Sequence, residues 1–359
     1  MPRFRKYIET NVLDEAKNRI HHIYDLFDSV VVMYSGGKDS QVVLELTWEV
    51  AKERGLDHVD VVFRDEELIP KRVIDHVERY RVLPWVRMLW FTYPMTSRKQ
   101  ILWDRTSITL WDPARDWFRP KPEFAISPEP DDFTVYNQHR MDAMVASYYS
   151  GRCAFVNGIR ASESLTRYRS SVEKLNENYI NAPWRGLDRF KTPKSVSLCK
   201  PIFDWEEDDI WRWFYDHPDV PYADLYDSQM WSACGLRVST PLHEGAARHL
   251  DKLPAQDPEL WDFITRVFPD APVQALYAKT YDRDAMIEHY ASRGLTGVRD
   301  FIIEMVTEPE QKSLALGALR GVRRRAVGRP QDYPAAYVLR EIIKGAYKRE
   351  ILPLSKGTR

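Results

Sequence analysis

The sequence predicts an α/β protein: an open, mostly parallel, twisted sheet with helices on both faces, followed by a helical C-terminal extension. Three observations predict this fold. Short apolar, β-branched segments alternate with amphipathic segments over about residues 10–91. A turn with two adjacent glycines joins the first apolar segment to the amphipathic segment that follows it. From about residue 257 to residue 320, helix-type spacing of apolar residues continues with no evident strand.

The N-terminal alternation is visible in the spacing of apolar residues. A recurrence every three or four positions is typical of an amphipathic helix, and a continuous β-branched run is typical of a buried parallel strand. On these grounds the predicted helices cover residues 10–27, 42–55 and about 70–81, and the predicted strands cover 29–34, 59–63 and 85–91.

The segment after the third strand is less regular. Residues 104–135 are rich in Trp, Pro, Asp and Arg with little periodicity, which predicts a long irregular insertion. A helix over about 135–149 and a strand over 154–157 follow. Residues 163–197 are again polar and irregular.

A further helix begins in the acidic segment after residue 203. Asp204 is predicted to be its N-cap, with Glu207 at the capping-box position and more acids in the first turn. The character of the sequence changes near residue 240, so we predict two domains, 1–240 and 241–359.

The composition is that of a soluble globular protein. Of 359 residues, 44% are hydrophobic and 29% charged, and the net charge is −1, which excludes an intrinsically disordered chain. No apolar run approaches the roughly 20 residues that span a bilayer, and no secretory signal is visible. Cys153, Cys199 and Cys234 lie far apart, so we expect no iron–sulfur cluster and a cytoplasmic protein. The sequence leaves the oligomeric state open.

The segment Ser35-Gly-Gly-Lys-Asp-Ser40 carries the clearest chemical signal. It lies between a predicted strand and a predicted helix. Gly36 and Gly37 let the backbone turn tightly and bring N–H groups close to an anion, and the helix dipole points at the same place. Ser35 and Ser40 add hydroxyl donors and Lys38 adds a positive charge. The segment therefore predicts a cradle for a phosphate or pyrophosphate group.

Asp39 is unusual in an anion site unless it binds Mg²⁺ or caps the helix. Arg160, at a strand end after Gly158, suits bidentate contact with a phosphate, and Glu163 would orient that arginine or bind Mg²⁺. Asp65 lies at the carboxyl end of the second strand, where open α/β sheets bind ligands, and would accept from a ribose hydroxyl or bind metal.

Arginines near the second irregular segment are further candidates. Arg167 and Arg169 would clamp a substrate anion, although a solvated basic face explains them equally well. Basic stretches at 185–194, 323–329 and 344–349 would form a nucleic-acid footprint, or solvated faces. The residues alone leave both alternatives open.

Several segments resemble a known group of enzymes. Residues 35–40 resemble the PP-loop of ATP pyrophosphatases. The stretches around Asp65 and over 157–164, and the segments 200–211 and 220–226, resemble the phosphoadenosine phosphosulfate (PAPS) reductase family. Residues of about 25–240 are therefore similar to the PAPS reductase-like adenine-nucleotide α-hydrolases, which implies a HUP or Rossmann-like fold. Residues 235–242 and the helical tail look like a branch often encoded beside a ParB-like protein on phage and mobile elements.

The resemblance implies a nucleotide-dependent reaction. ATP would be cleaved between the α and β phosphates with Mg²⁺, and AMP would pass to an acceptor, with Lys38, Asp39 and Arg160 as catalytic residues. PAPS is the alternative nucleotide. A true PAPS reductase uses a cysteine near its C-terminus, and none stands there in this sequence. Cys234 is then the remaining candidate nucleophile or persulfide carrier, with a buried structural thiol as the alternative.

Two other function classes stay open. One is sulfonucleotide reduction through Cys234. The other is nucleotide binding without catalysis, as the partner of a ParB-like protein. Adenylation is favoured because the loop at 35–40 keeps the full ATP-pyrophosphatase pattern. Nucleic acid or a sulfur compound would be the acceptor.

Overall fold

The computed structural model describes the chain except for residues 1–8, 103, 130, 165–166, 169–170, 172–178, 182–195, 228–237, 244–245, 279–282, 307, 346–349 and 355–359. The chain divides into two units. The first comprises Met1–Ser97, Ile108–Pro241 and Lys252–Phe263. The second comprises Arg98–Ser107, Leu242–Asp251 and Ile264–Arg359.

Seven strands are present in the described residues. In chain order they are β1 (Ser29–Tyr34), β2 (Val59–Arg64), β3 (Val86–Phe91), β4 (Met95–Ile101), β5 (Asp104–Leu110), β6 (Cys153–Val156) and β7 (Val196–Cys199). Five of them form one sheet in the order β3-β2-β1-β6-β7, and every pair in it is parallel. The predicted parallel sheet is confirmed.

The sheet is parallel and central because its strands are mostly apolar. Val31 and Val32 of β1 are fully buried and belong to separate core clusters, since successive side chains point to opposite faces. Helices of the first unit supply the apolar stripes that cover these faces. They are α1 (Val12–Leu26), α2 (Lys38–Glu53), α3 (Lys71–Arg81), α4 (Gln138–Ala146) and α5 (Glu207–Asp216).

The region predicted as a long irregular insertion begins with regular structure. β5 pairs with β4 in a two-stranded sheet, so the prediction of irregular structure from residue 104 was wrong up to Leu110. β4 and β5 are polar strands rich in Thr and Ser, so they lack the apolar runs that mark the buried strands. Beyond Leu110 the described residues form turns and isolated bridges as far as α4.

The start of α5 also differs from the prediction. Its N-cap is Glu206, whose N–H donates to Asp209 Oδ2 at 2.7 Å, and the helix begins at Glu207. Asp204 instead forms a two-bond ion pair with Arg19 of α1, at 2.7 and 2.8 Å. Trp205, between Asp204 and Glu206 in the chain, is 1% exposed, and its indole N–H donates to Val12 O at 3.0 Å. Burial of this ring fixes the chain in a non-helical conformation, so the helix starts later in the acidic run.

Helices continue after residue 252. They are α6 (Leu253–Gln256), α7 (Pro258–Val267), α8 (Ala271–Tyr277), α9 (Arg283–Ala291), α10 (Gly294–Met305), α11 (Pro309–Ala326) and α12 (Ala335–Ile343). Within the second unit, α9 to α12 share a core that includes Val298, Phe301, Leu319 and Leu339. In the part of the chain that the structure describes, no helix combines the length and the apolar character needed to cross a bilayer.

Candidate functional site

Residues 35–40, which we call the glycine loop, lie where the sequence predicts them, between the end of β1 and the first residues of α2. The N-cap of α2 is Gly37, which has no side chain to cap the helix. The first backbone bond of the helix joins Gln41 N–H to Gly37 O at 2.9 Å. The N–H groups of Lys38, Asp39 and Ser40 therefore precede the intrahelical bonds, where the positive end of the helix dipole lies.

Two serines hold the loop in shape. Ser40 Oγ donates to Gly37 O at 2.8 Å and accepts from the N–H of Ser35 at 3.2 Å. The two hydroxyl oxygens of Ser35 and Ser40 lie 3.0 Å apart. These bonds tie the last residue of the predicted motif back to its first, so both serines act within the loop itself.

Glycine is required at two positions around the loop. Gly36 adopts a φ of +72°, and a Cβ there would lie 2.8 Å from side-chain methyl carbons of both Val73 and Val77 of α3. Gly158, after β6, lets the backbone pass against the start of α2, since a Cβ there would lie 2.6 Å from Asp39 C and from Ser40 N. The two sequence segments therefore meet by close backbone approach.

Lys38 and Arg160 are the buried cations among the described residues that line one cleft. Arg160 is 3% exposed and Lys38 is 9% exposed. Arg160 Nε donates to Asp39 Oδ1, and Lys38 Nζ lies 3.0 Å from Asp39 Oδ2. Glu207 of α5 contacts both, with Oε1 at 3.2 Å from Lys38 Nζ and Oε2 at 2.8 Å from Arg160 Nη2.

The electrostatics of these groups follow from that pairing. Burial alone would raise the pKa of Glu207, but Lys38 and Arg160 more than offset it and lower that pKa below its ordinary value. Burial would lower the pKa of Arg160, whereas Asp39 and Glu207 raise it. Arg160 therefore stays charged beside the ionised carboxylate of Glu207.

Glu163 and Arg167 extend this network. Glu163 Oε1 accepts from the backbone N–H of Arg160 at 3.3 Å, and its Oε2 pairs with Arg167 Nη1. Glu163 thus orients the Arg160 segment through the backbone. Of the other candidate arginines, Arg169 lies outside the described residues.

These groups face a cleft of about 740 Å³ at the carboxyl edge of the parallel sheet. The cleft brings together most of the candidate residues: Ser35, Gly37, Lys38, Asp39, Ser40, Gly158, Arg160, Glu163 and Arg167. Gly36 does not line the cleft; it packs against Val73 and Val77 of α3.

Asp65 is not brought to this cleft. It is fully buried, and it accepts from the indole N–H of Trp90 at 2.9 Å and from Arg119. Its neighbour Glu66 lines the cleft instead. All bonds of Asp65 that the structure shows therefore lie within the protein rather than toward a ligand.

The structure adds site residues that the sequence pattern did not indicate. Glu207 was predicted only as part of a helix cap. Tyr226 lines the cleft, and its hydroxyl accepts from the N–H of Lys38 at 3.1 Å. Arg64, at the end of β2, lines the cleft and donates to Asp142 Oδ1 at 2.7 Å. The signal for Arg64 was its place at the carboxyl end of a predicted strand.

The donor set does not fit a metal site built by the protein alone. Both carboxylate oxygens of Asp39 contact cations. Within the described ranges, no group of three or more His, Cys, Asp or Glu side chains is arranged to hold a metal ion. Asp39 thus acts in this structure as the partner of Lys38 and Arg160.

The two cysteines that the structure describes lie apart from the site. Cys153 of β6 and Cys199 of β7 are fully buried in the sheet, and neither lines the cleft. Cys234, the candidate nucleophile, lies outside the described residues.

A known family model matches the part of the chain that contributes Gly158, Arg160 and Glu207 to the cleft. The model described as the phosphoadenosine phosphosulfate reductase domain matches residues 128–241. The matched range includes Gly158, Arg160 and Glu207 but does not reach the loop at 35–40. An Escherichia coli (strain K12) relative, named uncharacterized protein YbdN, is 30% identical over 222 residues, 58% of this chain and 53% of the relative. The chain thus spans about half the length of that curated relative.

Solved structures show weaker similarity. Candida glabrata FMN adenylyltransferase in complex with FAD and inorganic pyrophosphate has 15% identity and a TM-score of 0.38, over 60% of this chain and 58% of that one. Candida auris PAPS reductase, a phosphate complex, has 12% identity and a TM-score of 0.34, over 62% and 93%. The U34-tRNA thiolase NcsA from Methanococcus maripaludis has 13% identity and a TM-score of 0.33, over 77% and 81%. These similarities are too low to transfer a property to this chain.

Proposed function

We propose that the cleft binds ATP and cleaves it between the α and β phosphates, so that AMP passes to an acceptor and pyrophosphate leaves. One observation carries the proposal: the N-terminus of α2, Lys38 and Arg160 all face one cleft at the carboxyl edge of a parallel sheet. Helix N-termini and buried cations at such an edge are typical of phosphate-binding sites.

The sheet order supports this location. Chain connections run outward from β1 to β2 and β3 on one side and to β6 and β7 on the other. Ligands of open α/β sheets bind at the point where the strand order reverses. Here that point lies between β1 and β6, whose following loops carry Lys38 and Arg160.

The proposed chemistry depends on position and charge. An acceptor oxygen attacks the α phosphorus, the bond to the bridging oxygen breaks, and pyrophosphate leaves with the bonding electrons. Lys38 and Arg160, with the N–H groups at the start of α2, stabilise the negative charge that grows on the leaving group. ATP enters as its Mg²⁺ complex, with the metal held on the substrate phosphates.

The test is turnover of Mg²⁺–ATP, with AMP and pyrophosphate separated from ADP and phosphate. The wild-type chain is expected to release AMP and pyrophosphate. Lys38→Ala is expected to lose at least about 100-fold in rate, as for other losses of a charge-stabilising donor. The matched control is Lys52→Ala, which removes an exposed lysine at the other end of the same helix. Equal rates for Lys38→Ala and wild type would contradict the proposal.

The second candidate function is sulfonucleotide reduction, favoured by the family match over 128–241. It would take PAPS into the same cleft and release sulfite in a thiol-dependent reaction. Thiol-dependent sulfite release that disappears in Cys234→Ser, without AMP formation from ATP, would favour this candidate. ATP binding with neither reaction would identify a nucleotide-binding protein without catalysis.

The acceptor is the remaining part of the proposal. Among the described residues, those that line the cleft all precede residue 240, so we assign nucleotide binding to residues 1–240 and a separate role to the helical residues 241–359. Arg320 and Arg324 of α11 are exposed, and exposed arginines on one helix face suit a nucleic-acid backbone. DNA or tRNA that stimulates AMP formation in a salt-sensitive manner would support a nucleic-acid acceptor.

A further inference from the structure

Lys38 and Arg160, the buried cations of the cleft, share one carboxylate from α5. Glu207 contacts Lys38 through Oε1 at 3.2 Å and Arg160 through Oε2 at 2.8 Å. A carboxylate with one oxygen on each cation has the geometry of a phosphate group that bridges them. Glu207 therefore occupies the cations that the proposed function assigns to pyrophosphate.

Glu207 differs from the other carboxylate of this cluster in its freedom to move. Its side chain is 55% exposed, whereas that of Asp39 is 18% exposed. Asp39 follows Lys38 directly in the chain, and its two oxygens contact Lys38 and Arg160. Glu207 reaches them from a separate helix and can rotate into solvent about its own side-chain bonds.

The fold of α5 does not depend on this side chain. The helix is capped by Glu206 and Asp209, which bond each other's backbone N–H groups. Its apolar face is held by Ile210, Trp213 and Phe214, all buried. Glu207 is thus available for a role other than capping.

We propose that Glu207 is an internal competitor for the phosphate site: it pairs with Lys38 and Arg160 until the polyphosphate of a nucleotide displaces it. This inference rests on the proposed function, because it names how that same site is kept neutral before binding. The competition lowers affinity for short anions and favours ligands that carry several phosphate charges. A single phosphate replaces the two contacts of Glu207 with little gain, whereas a polyphosphate adds contacts to the N–H groups of α2.

The experiment measures binding of inorganic pyrophosphate by calorimetry at fixed pH and ionic strength. Glu207→Gln keeps the shape of the side chain but removes its charge, and is expected to bind pyrophosphate about 10-fold more tightly than the wild type. Glu207→Asp keeps the charge on a shorter side chain and is expected to lie between the two. A tenfold change corresponds to about 1.4 kcal/mol.

The matched control is Asp208→Asn. Asp208 is exposed and adjacent to Glu207 on α5, so the variant removes the same charge from the same region without touching the two contacts. It is expected to bind within about twofold of wild type, since exposed charges are strongly screened by salt. An equal gain in Asp208→Asn and Glu207→Gln would overturn the inference, because long-range charge alone would then explain both.

The remaining outcomes separate this inference from the proposed function. Equal or weaker binding by Glu207→Gln, with wild-type binding intact, overturns competition but leaves the anion site in place. No pyrophosphate binding by any variant, in folded protein with native circular dichroism, overturns both. A Glu207→Gln protein that fails to fold is replaced in the comparison by Glu207→Asp.

Discussion

Two clusters of acids and bases lie at the same edge of the sheet, and they are built in opposite ways. In the cleft, the cations are buried, and one of their carboxylates, Glu207, is 55% exposed. In the second cluster, which we call the clamp, the acids are buried: Asp65 and Glu67 are 0% exposed and pair with Arg119 and Arg115.

The difference lies in how completely the buried charges are satisfied. Glu67 accepts two bonds from Arg115, at 2.6 and 2.8 Å, and one each from the backbone N–H groups of Trp111, at 2.5 Å, and Phe118, at 3.3 Å. A carboxylate with this many internal donors has nothing left to offer a ligand. In the cleft, by contrast, a half-exposed acid pairs with buried cations. We therefore expect a buried charge to bind a ligand only where the ligand can displace the side chain that pairs with that charge.

The largest expected effect breaks the clamp. Glu67→Gln removes the charge opposite Arg115 and leaves that guanidinium, 16% exposed, without its carboxylate. The loss is expected to be about 3–5 kcal/mol in the free energy of unfolding, as for other broken buried pairs. Urea denaturation measures it. Asp216→Asn, which breaks the exposed pair with Arg212, is the control and is expected to show no measurable loss. Similar results for the two variants would remove the distinction between clamp and surface.

The next effect concerns the ion pair of Asp142 and Arg64, which joins a buried acid, as in the clamp, to a cation that lines the cleft. Asp142 is 2% exposed, while its partner Arg64 lines the cleft. Burial raises the pKa of Asp142 to about 6, although Arg64 opposes the shift. The folded protein therefore binds this proton more tightly than the unfolded chain. The associated stability is fully present below about pH 4 and is lost as the pH rises through 6, with a total of about 2–3 kcal/mol.

Asp142→Asn removes this titration. The free energy of unfolding of the variant, minus that of the wild type, is expected to increase as the pH rises from 4 to 7. The variant must be compared with the wild type at each pH because His76 titrates in both proteins. Burial lowers the pKa of His76 to about 4, so both proteins become less stable as the pH falls below about 6.5. Urea titrations at four pH values measure it. A constant difference across that range would contradict the assignment.

The smallest expected effect tests how the cleft is held together. Gly158→Ala places a Cβ 2.6 Å from backbone atoms of Asp39 and Ser40. The start of α2 and the end of β6 must then separate, which is expected to cost about 1–3 kcal/mol and to lower ATP turnover by moving Arg160 from Asp39. The control Gly317→Ala lies in α11 with only a flexible arginine tip nearby, at 3.9 Å. It is expected to be neutral or stabilising. Normal stability and turnover in Gly158→Ala would show that the backbone at Gly158 does not pack tightly against Asp39 and Ser40.

Much of the fold follows from local patterns. The strands β1, β2, β3 and β6 were predicted because each is a largely apolar run, and such runs pair with one another in a buried parallel sheet. The loop at 35–40 was predicted because two glycines stand at a strand-to-helix junction. The hairpin of β4 and β5 was missed because its polar strands carry no such run.

The site was harder to predict where it depends on distant contacts. Arg160 was found because it follows a strand and precedes a polar turn. Glu207 was not, since its acidic segment suggests a helix cap equally well at several positions, and the burial of Trp205 decides which one. Asp65 and Glu66 are adjacent acids at one strand end. Only the packing of Trp90 and Arg119 around Asp65 determines which of them faces the cleft.

The meeting of Gly158 with α2 has a consequence for synthesis and folding. Asp39 and Arg160 are 121 residues apart in the chain, and Lys38 and Tyr226 are 188 apart. A nascent chain that ends after β5 already contains the glycine loop but none of these partners. Closing such long segments costs entropy before any contact is made. The loop therefore emerges from the ribosome early, whereas a binding-competent cleft must wait until the chain has been synthesised past Tyr226.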